Sequence, residues 1–163
     1  MFSNVKIVFK VFFLLTILST VSSNQKFSSC RQKSFKTDEC NLYGIWKNEL
    51  GSTVVFSCHD GQIKGKYTSA VGKAANWYNL TGSYTMASPK KDVTIASWVV
   101  SWNNDVKGNS ESSTAWNGIF YPDEGVLYTL WTLVSYEEYK DYWKATNVGQ
   151  DKFWRTCDVD EQL

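Results

Sequence analysis

Along several segments of this chain, tryptophan and small hydroxyl residues are separated by an even number of positions. Side chains in a β-strand point alternately to its two faces, so residues two positions apart share a face. On that basis Trp98 and Trp102 share a face, and hydroxyls of other segments fall on the same side. The remaining members of this face are Tyr67, Ser69, Ser112, Thr114, Trp116, Trp131 and Leu133.

A buried face that mixes rings with hydroxyls differs from an ordinary aliphatic core. Each buried hydroxyl without a hydrogen-bond partner costs roughly 1 to 3 kcal/mol. A small ligand with an apolar body and several polar atoms would supply the partners, and an eight-stranded barrel is wide enough to hold one. The alternative is that these serines and threonines face solvent on an edge strand. The eight tryptophans suit either an aromatic core or a ring-lined cavity.

Residues for catalysis are scarce. The only histidine, His59, lies in the turn-like stretch Cys58-His59-Asp60-Gly61, off the shared face. No nucleophile therefore has a suitable base, and the sequence contains no Gly-x-Ser-x-Gly elbow or phosphate-binding loop. Glu137 and Glu138 are better explained as a solvated surface than as an acid–base pair. We expect a protein that is not an enzyme and that holds neither a metal nor a cofactor.

The elements that position these residues are eight strand-like segments separated by turn residues, a spacing typical of an all-β sandwich or barrel. An antiparallel meander leaves two open edges unless it closes, and eight strands suffice for closure. We therefore predict an all-β fold, an eight-stranded antiparallel up-and-down β-barrel. Residues 136–143 are charged and favour a helical connection. The predicted strands are Leu42–Asn48, Thr53–Ser57, Gln62–Tyr67, Tyr78–Ser83, Val93–Asn103, Ser112–Tyr121, Val126–Ser135 and Lys144–Thr156.

The N-terminus has the features of a secretory signal peptide over residues 1–23. Lys6 and Lys10 precede an apolar run from Val11 to Leu18, which is shorter than the ~20 residues of a membrane span. We expect secretion to the extracellular space without a membrane anchor. The net charge of +1 gives no support for a nucleic-acid partner. After the signal we predict an extension over residues 24–39, one barrel domain over residues 40–157 and a tail over residues 158–163.

Four cysteines remain after the signal peptide, at positions 30, 40, 58 and 157. The oxidising secretory route would join them in two disulfides. Barrel order places Cys40, Cys58 and Cys157 at one rim, so three pairings of Cys30 and these residues remain open.

Six segments in order resemble avidin and streptavidin, over a range from about Cys40 to Phe153. The resemblance implies an avidin-like barrel that binds and sequesters biotin non-covalently and with high affinity. No single segment is rare, but their order and spacing are specific to this family. The segments are Gly44–Ser52, Gly65–Gly72, Ser97–Asn104, Ser112–Gly118, Trp131–Leu133, and residues 143–144 with 148–153.

The resemblance also implies a role for each site residue. Asn48, Ser52 and Tyr67 would donate hydrogen bonds to the ureido oxygen of biotin, and Ser69 and Asp151 would accept from its two N–H groups. Three donors stabilise the partial charge of one carbonyl oxygen, and a buried carboxylate becomes a strong acceptor. Thr114 would lie near the thioether sulfur. The apolar enclosure would comprise Leu50, Val71, Trp102, Trp116, Trp131 and Leu133, and the carboxylate would meet Ser112.

Other positions follow from or depart from the family pattern. Trp143 corresponds to a tryptophan that covers a neighbouring subunit's ligand, which implies a homotetramer. Lys73 stands in the carboxylate loop, where it would either pair with biotin's carboxylate or remain solvated. Cys40 matches the first cysteine of the avidin disulfide, but Phe120 stands in its partner's place, so that disulfide cannot form. The loop Asn103–Glu111 is about one residue longer than in streptavidin.

Two further points stay open at the level of sequence. Asn79-Leu80-Thr81 is a glycan acceptor signal, although it falls within a predicted strand. The competing functions are a lipocalin-like carrier of another hydrophobic molecule and an avidin-like structural module with weak biotin affinity. An apolar ligand would leave Asn48, Tyr67 and Asp151 unpaired, which favours biotin.

Overall fold

A closed antiparallel barrel of eight strands forms the body of the protein in a computed structural model that describes residues 39–72, 74–88 and 92–156. Each strand pairs with the next in sequence, and β8 pairs with β1 to complete the cylinder. The strands are β1 (Gly44–Asn48), β2 (Thr53–His59), β3 (Gln62–Thr68), β4 (Tyr78–Ser88), β5 (Val93–Asn104), β6 (Gly108–Tyr121), β7 (Val126–Ser135) and β8 (Thr146–Arg155).

The predicted fold class is confirmed, but some strand ends differ. β4 continues past Ser83 to Ser88. β6 begins at Gly108, before Ser112, because the β5–β6 connection is much shorter than predicted. Asn104 Oδ1 accepts from the N–H groups of Val106 and Lys107 at 3.1 and 2.8 Å, which folds a tight turn. Most of the predicted loop Asn103–Glu111 is therefore strand.

The charged connection before β8 forms a 3-10 helix over Tyr139–Lys144, so β8 begins at Thr146 rather than at Lys144. Lys144 Nζ lies 2.9 Å from Asp141 Oδ1 across one turn. Within the described part of the chain, no helix is both long and apolar enough to span a membrane.

One end of the barrel is filled by side chains. Trp46 is fully buried, packs edge-to-face on Phe120 with ring centroids 5.2 Å apart, and donates from Nε1 to Leu42 O at 2.8 Å. The guanidinium of Arg155 lies 4.8 Å from the Trp46 ring, and its Nη1 donates to Tyr43 O at 2.9 Å. This end is therefore an aromatic plug that leaves the opposite end for a ligand.

A disulfide joins Cys40 to Cys58 at the plugged end, with a Cα–Cα distance of 6.1 Å. The bond ties the segment before β1 to β2 and identifies Cys58 as the partner of Cys40, which the sequence left open. The buried Thr94 Oγ1 donates to Cys40 O at 2.7 Å and anchors the same segment to β5. Phe120, which stands where the resemblance would place the second cysteine of the avidin disulfide, packs against Trp46.

Several predictions concern residues outside the described ranges. They are the signal peptide over residues 1–23, the extension up to residue 38, Cys30, Lys73, Cys157 and the tail over residues 158–163.

We expect the double substitution Cys40→Ser/Cys58→Ser to lower the free energy of unfolding by about 3 kcal/mol, because the crosslink closes a short loop in the unfolded chain. Guanidinium denaturation followed by tryptophan fluorescence measures the change, and Ser57→Ala, at an exposed neighbouring position, is the control. An unchanged denaturation midpoint would contradict a stabilising role for this bond.

Candidate ligand-binding site

The predicted site residues gather at the barrel end opposite the plug. In an antiparallel barrel the last residues of odd-numbered strands meet the first residues of even-numbered strands at one rim. Asn48 ends β1, Tyr67 lies near the end of β3, and Thr114 lies in the first half of β6. The buried members of the predicted set are Asn48, Ser52, Tyr67, Thr114, Trp116 and Asp151.

Aromatic rings form a continuous wall around these polar groups. Trp116 stacks on Tyr67 with centroids 5.0 Å apart and an interplanar angle of 27°. Trp98 also stacks on Trp116, with ring centroids 5.8 Å apart. Trp102 meets Tyr67 edge-to-face at 5.7 Å. The wall offers flat apolar surfaces that fit a rigid ring system.

Gly149 makes room for one more indole. It lies opposite Trp131 in the β7–β8 register, and a Cβ atom at this glycine would lie within 3 Å of the Trp131 ring. The half-buried Trp131 therefore occupies the space of an absent side chain on β8.

Asn48 is held in one orientation by the backbone. Its Oδ1 accepts from Leu50 N at 3.1 Å and from Ser52 N at 2.8 Å. The amide oxygen is thus used within the β1–β2 turn, and the Nδ2 group, which only donates, is left to interact with Asp151 in the lumen. Asn48 is a donor towards any ligand.

Two serines are fixed with opposite polarity. Ser52 Oγ accepts from Ala70 N at 3.0 Å, so its own hydrogen is available to donate. Ser69 Oγ instead donates to Val71 O at 3.0 Å and accepts from Val71 N at 3.2 Å, so towards a ligand it can only accept, with its second lone pair. The same contacts hold the β3–β4 loop next to the β1–β2 turn.

Tyr67 remains protonated in this environment. Burial raises the pKa of its phenol; a hydrogen bond with Ser52 opposes this effect, and the negative charges of Asp151 and Glu49 add to it. The neutral hydroxyl supplies a third donor in the lumen.

Asp151 is the only carboxylate among the buried residues that the structure describes. Its Oδ2 accepts from Trp116 Nε1 at 3.0 Å. Burial raises the pKa of Asp151 above its usual value, the charge of Glu49 raises it further, and hydrogen bonds from Trp116, Trp131 and Asn48 oppose the rise. Because these bonds compensate burial only in part, an additional N–H donor would stabilise the ionised form.

Thr114 has its polarity set by an indole. Trp102 Nε1 donates to Thr114 Oγ1 at 2.8 Å, which leaves the threonine hydrogen free to donate. At the rim above it, Ser112 Oγ lies 2.7 Å from Ser110 Oγ, which in turn donates to the carbonyl of Trp102.

The other predicted residues lie at the rim or away from the cluster. Leu50 and Val71 are exposed at the open mouth, and Leu133 is half-buried on β7. Trp143 does not join this protomer's cluster, since it is 70% exposed on the 3-10 helix with Lys144 Nζ 5.0 Å from its ring. His59 lies at the opposite rim, beside Glu39 and Asp60.

Sequence reasoning missed two contributors to this site. Tyr78 packs edge-to-face on Trp102, with ring centroids 5.0 Å apart. Tyr78 pairs directly with Tyr67 in the strand register, so the pairing of the two predicted strands could have identified it. Glu49 carried no such signal, because its contact with the N–H of Lys152 joins distant parts of the chain.

Within the described residues, Trp98 Nε1 is the one buried side-chain nitrogen or oxygen without a hydrogen-bond partner.

Taken together, the cluster presents three donors, from Asn48, Ser52 and Tyr67, and two acceptors, from Ser69 and Asp151. A planar group with a carbonyl oxygen between two N–H groups, as in a cyclic urea, has the complementary pattern.

Comparison with known proteins points to one family. The family model described as Avidin family matches residues 36–156. Avidin-related protein 4/5 of Gallus gallus is 35% identical over 136 residues, which cover 78% of this chain and 86% of that protein. Avidin of Gallus gallus is 32% identical over 126 residues, which cover 72% of this chain and 79% of that protein.

The raised pKa of Asp151 predicts a pH-dependent stability for the ligand-free protein. A folded-state pKa above the unfolded value of 3.8 means that the stability this group contributes is present below pH 3.8 and lost as the pH rises through the folded pKa. Urea denaturation at several pH values should show the wild-type protein losing stability relative to Asp151→Asn over that range. Parallel pH profiles for the two proteins would contradict the assignment.

Proposed function

This chain belongs to the avidin family, and on that basis we propose that it binds biotin non-covalently and with high affinity in the barrel lumen, and so sequesters it. It is a binding protein and not an enzyme. The proposed complex involves no cofactor, because hydrogen bonds and apolar contacts supply all of the binding free energy.

The observation that supports this proposal best is the preset polarity of the hydrogen-bonding cluster. Backbone N–H groups occupy the acceptor atoms of Asn48 and Ser52, which leaves both side chains as donors for the ureido oxygen. Ser69 and Asp151 are left as acceptors for the ureido N–H groups. A ligand with this pattern would satisfy all five groups and displace only the hydrogen bond between Ser52 and Tyr67, so little binding free energy is lost to reorganisation.

The apolar part of biotin fits the remaining walls. Trp102 and Trp116 flank the polar cluster, and their burial against the bicyclic ring contributes about 25 cal/mol per Å² of apolar surface. In the proposed complex the free hydrogen of Thr114 would point to the thioether sulfur. Ser112, at the rim, is the proposed contact of the carboxylate.

A carrier of a purely apolar ligand fits this lumen less well. Such a ligand would leave Asn48, Tyr67 and Asp151 buried without new partners, at a cost of roughly 1 to 3 kcal/mol for each group. Binding of biotin and not of a fatty acid is therefore the expected outcome of a direct comparison.

We expect Tyr67→Phe to weaken biotin binding by about 10- to 100-fold, because one donor to the ureido oxygen is lost while the ring stack on Trp116 is kept. Competition titration followed by tryptophan fluorescence measures the loss, and Tyr128→Phe, on the outer surface, is the matched control. A wild-type protein whose fluorescence and retention on biotin-agarose ignore biotin would overturn the proposed function.

We further propose a homotetramer assembled through the outer face of β7 and β8. Leu130, Val134 and Val148 point outwards and are 61%, 48% and 75% exposed. The register places Val134 opposite Thr146 and Thr132 opposite Val148, so the apolar side chains lie on one outer face, interleaved with threonines. Exposed apolar side chains grouped on one face support an interaction surface there.

In this assembly the exposed Trp143 would cover the ligand of a neighbouring subunit. Trp143→Ala should then speed biotin release by about tenfold and reduce the tetramer fraction in size-exclusion chromatography, because an indole of this size buries a large apolar area. Tyr139→Ala, at the other end of the same helix, should change neither. Unchanged assembly and release in Trp143→Ala would contradict the lid role.

We also propose that the protein is secreted and carries a glycan at Asn79. The Cys40–Cys58 disulfide suits an oxidising compartment. Asn79 and Thr81 are both exposed on the outer face of β4, which leaves the acceptor nitrogen accessible. A mass decrease after treatment with an amide-cleaving glycosidase would demonstrate the modification.

A further inference from the structure

The seam between β1 and β8 is the shortest ladder of the barrel. It contains three residue pairs, Trp46↔Arg155, Lys47↔Trp154 and Asn48↔Phe153. The next pair towards the open mouth would be Glu49 and Lys152, but the chain turns away from the ladder at Glu49. Backbone pairing between the first and last strands therefore stops at the level of the site.

The side chain of Glu49 takes the place of the missing backbone bond. Its Oε2 accepts a hydrogen bond from Lys152 N at 3.0 Å. A carboxylate that accepts from a backbone N–H forms a charge-assisted bond, which is stronger than one between neutral groups. The contact extends the seam by one step beyond its last residue pair.

This bond lies next to two of the proposed ureido ligands. Glu49 follows Asn48 in the chain, and Lys152 follows Asp151. Asn48 also lowers the pKa of the Asp151 carboxyl by hydrogen bonding, so the two side chains are neighbours in the lumen. Glu49 itself need not touch a bound molecule to affect how these two groups are spaced.

On the basis of the proposed function, we propose that Glu49 is a positioning residue: its carboxylate clamps the β1–β8 seam at Lys152 N and so holds Asn48 and Asp151 at the separation that a cyclic urea requires. The clamp acts through the backbone on both sides of the seam. Its effect should therefore appear in the lifetime of the complex rather than in the rate of encounter.

Two substitutions separate the hydrogen bond from the charge. Glu49→Ala removes both, whereas Glu49→Gln keeps an acceptor oxygen and removes only the charge. Glu124→Ala, at an exposed carboxylate in the β6–β7 turn at the opposite rim, is the matched control.

The experiment combines stopped-flow biotin binding with amide hydrogen exchange of the ligand-free full chain. For Glu49→Ala we expect biotin dissociation to be about three to ten times faster, association to be unchanged within about twofold, and exchange at the Lys152 amide to be about tenfold faster. Glu124→Ala should resemble the wild-type protein in all three measurements, whereas Glu49→Gln should lie between the wild-type protein and Glu49→Ala, because it keeps the hydrogen bond without the charge.

Three outcomes would contradict the proposed positioning role of Glu49. Unchanged exchange in Glu49→Ala would mean that the bond does not hold the seam, and faster exchange with unchanged dissociation would mean that the seam does not position the site. A Glu49→Gln variant that releases biotin as fast as Glu49→Ala would assign the effect to charge. A wild-type protein that does not bind biotin would overturn the proposed function instead, and the exchange rates would then decide the clamp alone.

Discussion

The buried carboxylate of Asp151 is the constraint on which the rest of the site depends. It lies 5% exposed inside the barrel, and its burial raises its pKa despite hydrogen bonds from Trp116, Trp131 and Asn48. A buried charge is tolerated only when donors are arranged around it. The indole N–H groups therefore serve two purposes, since the same rings that build the apolar wall also partly stabilise the carboxylate.

Backbone bonds at the barrel mouth decide which way each polar side chain acts. In the β1–β2 turn, the N–H of Ser52 donates to Asn48 Oδ1. In the β3–β4 loop, the N–H of Ala70 donates to Ser52 Oγ, and Ser69 Oγ donates to Val71 O. The lumen thus carries a preset pattern of donors and acceptors before any ligand enters. The plug and the disulfide at the other end of the barrel hold the strands whose ends carry this pattern.

Much of this arrangement was predictable from the sequence, because closure and alternation follow from local patterns. Eight strand-like segments indicated the barrel, and residue parity placed Trp102, Thr114 and Trp116 on one face. The length of β6 was missed because it depends on the turn that Asn104 builds with its side chain. The Cys40–Cys58 pairing and the Glu49 contact were out of reach, since both depend on which distant residues meet at a rim.

The preset polarity is tested most directly by changing the ligand and leaving the protein intact. Calorimetric titration should compare biotin with an analogue whose ureido oxygen is replaced by an imino N–H group. This replacement directs a donor at the donors of Asn48, Ser52 and Tyr67, so at neutral pH the analogue should bind at least about 100-fold more weakly than biotin. Equal affinity for the two ligands would show that the lumen does not recognise the ureido group by this pattern.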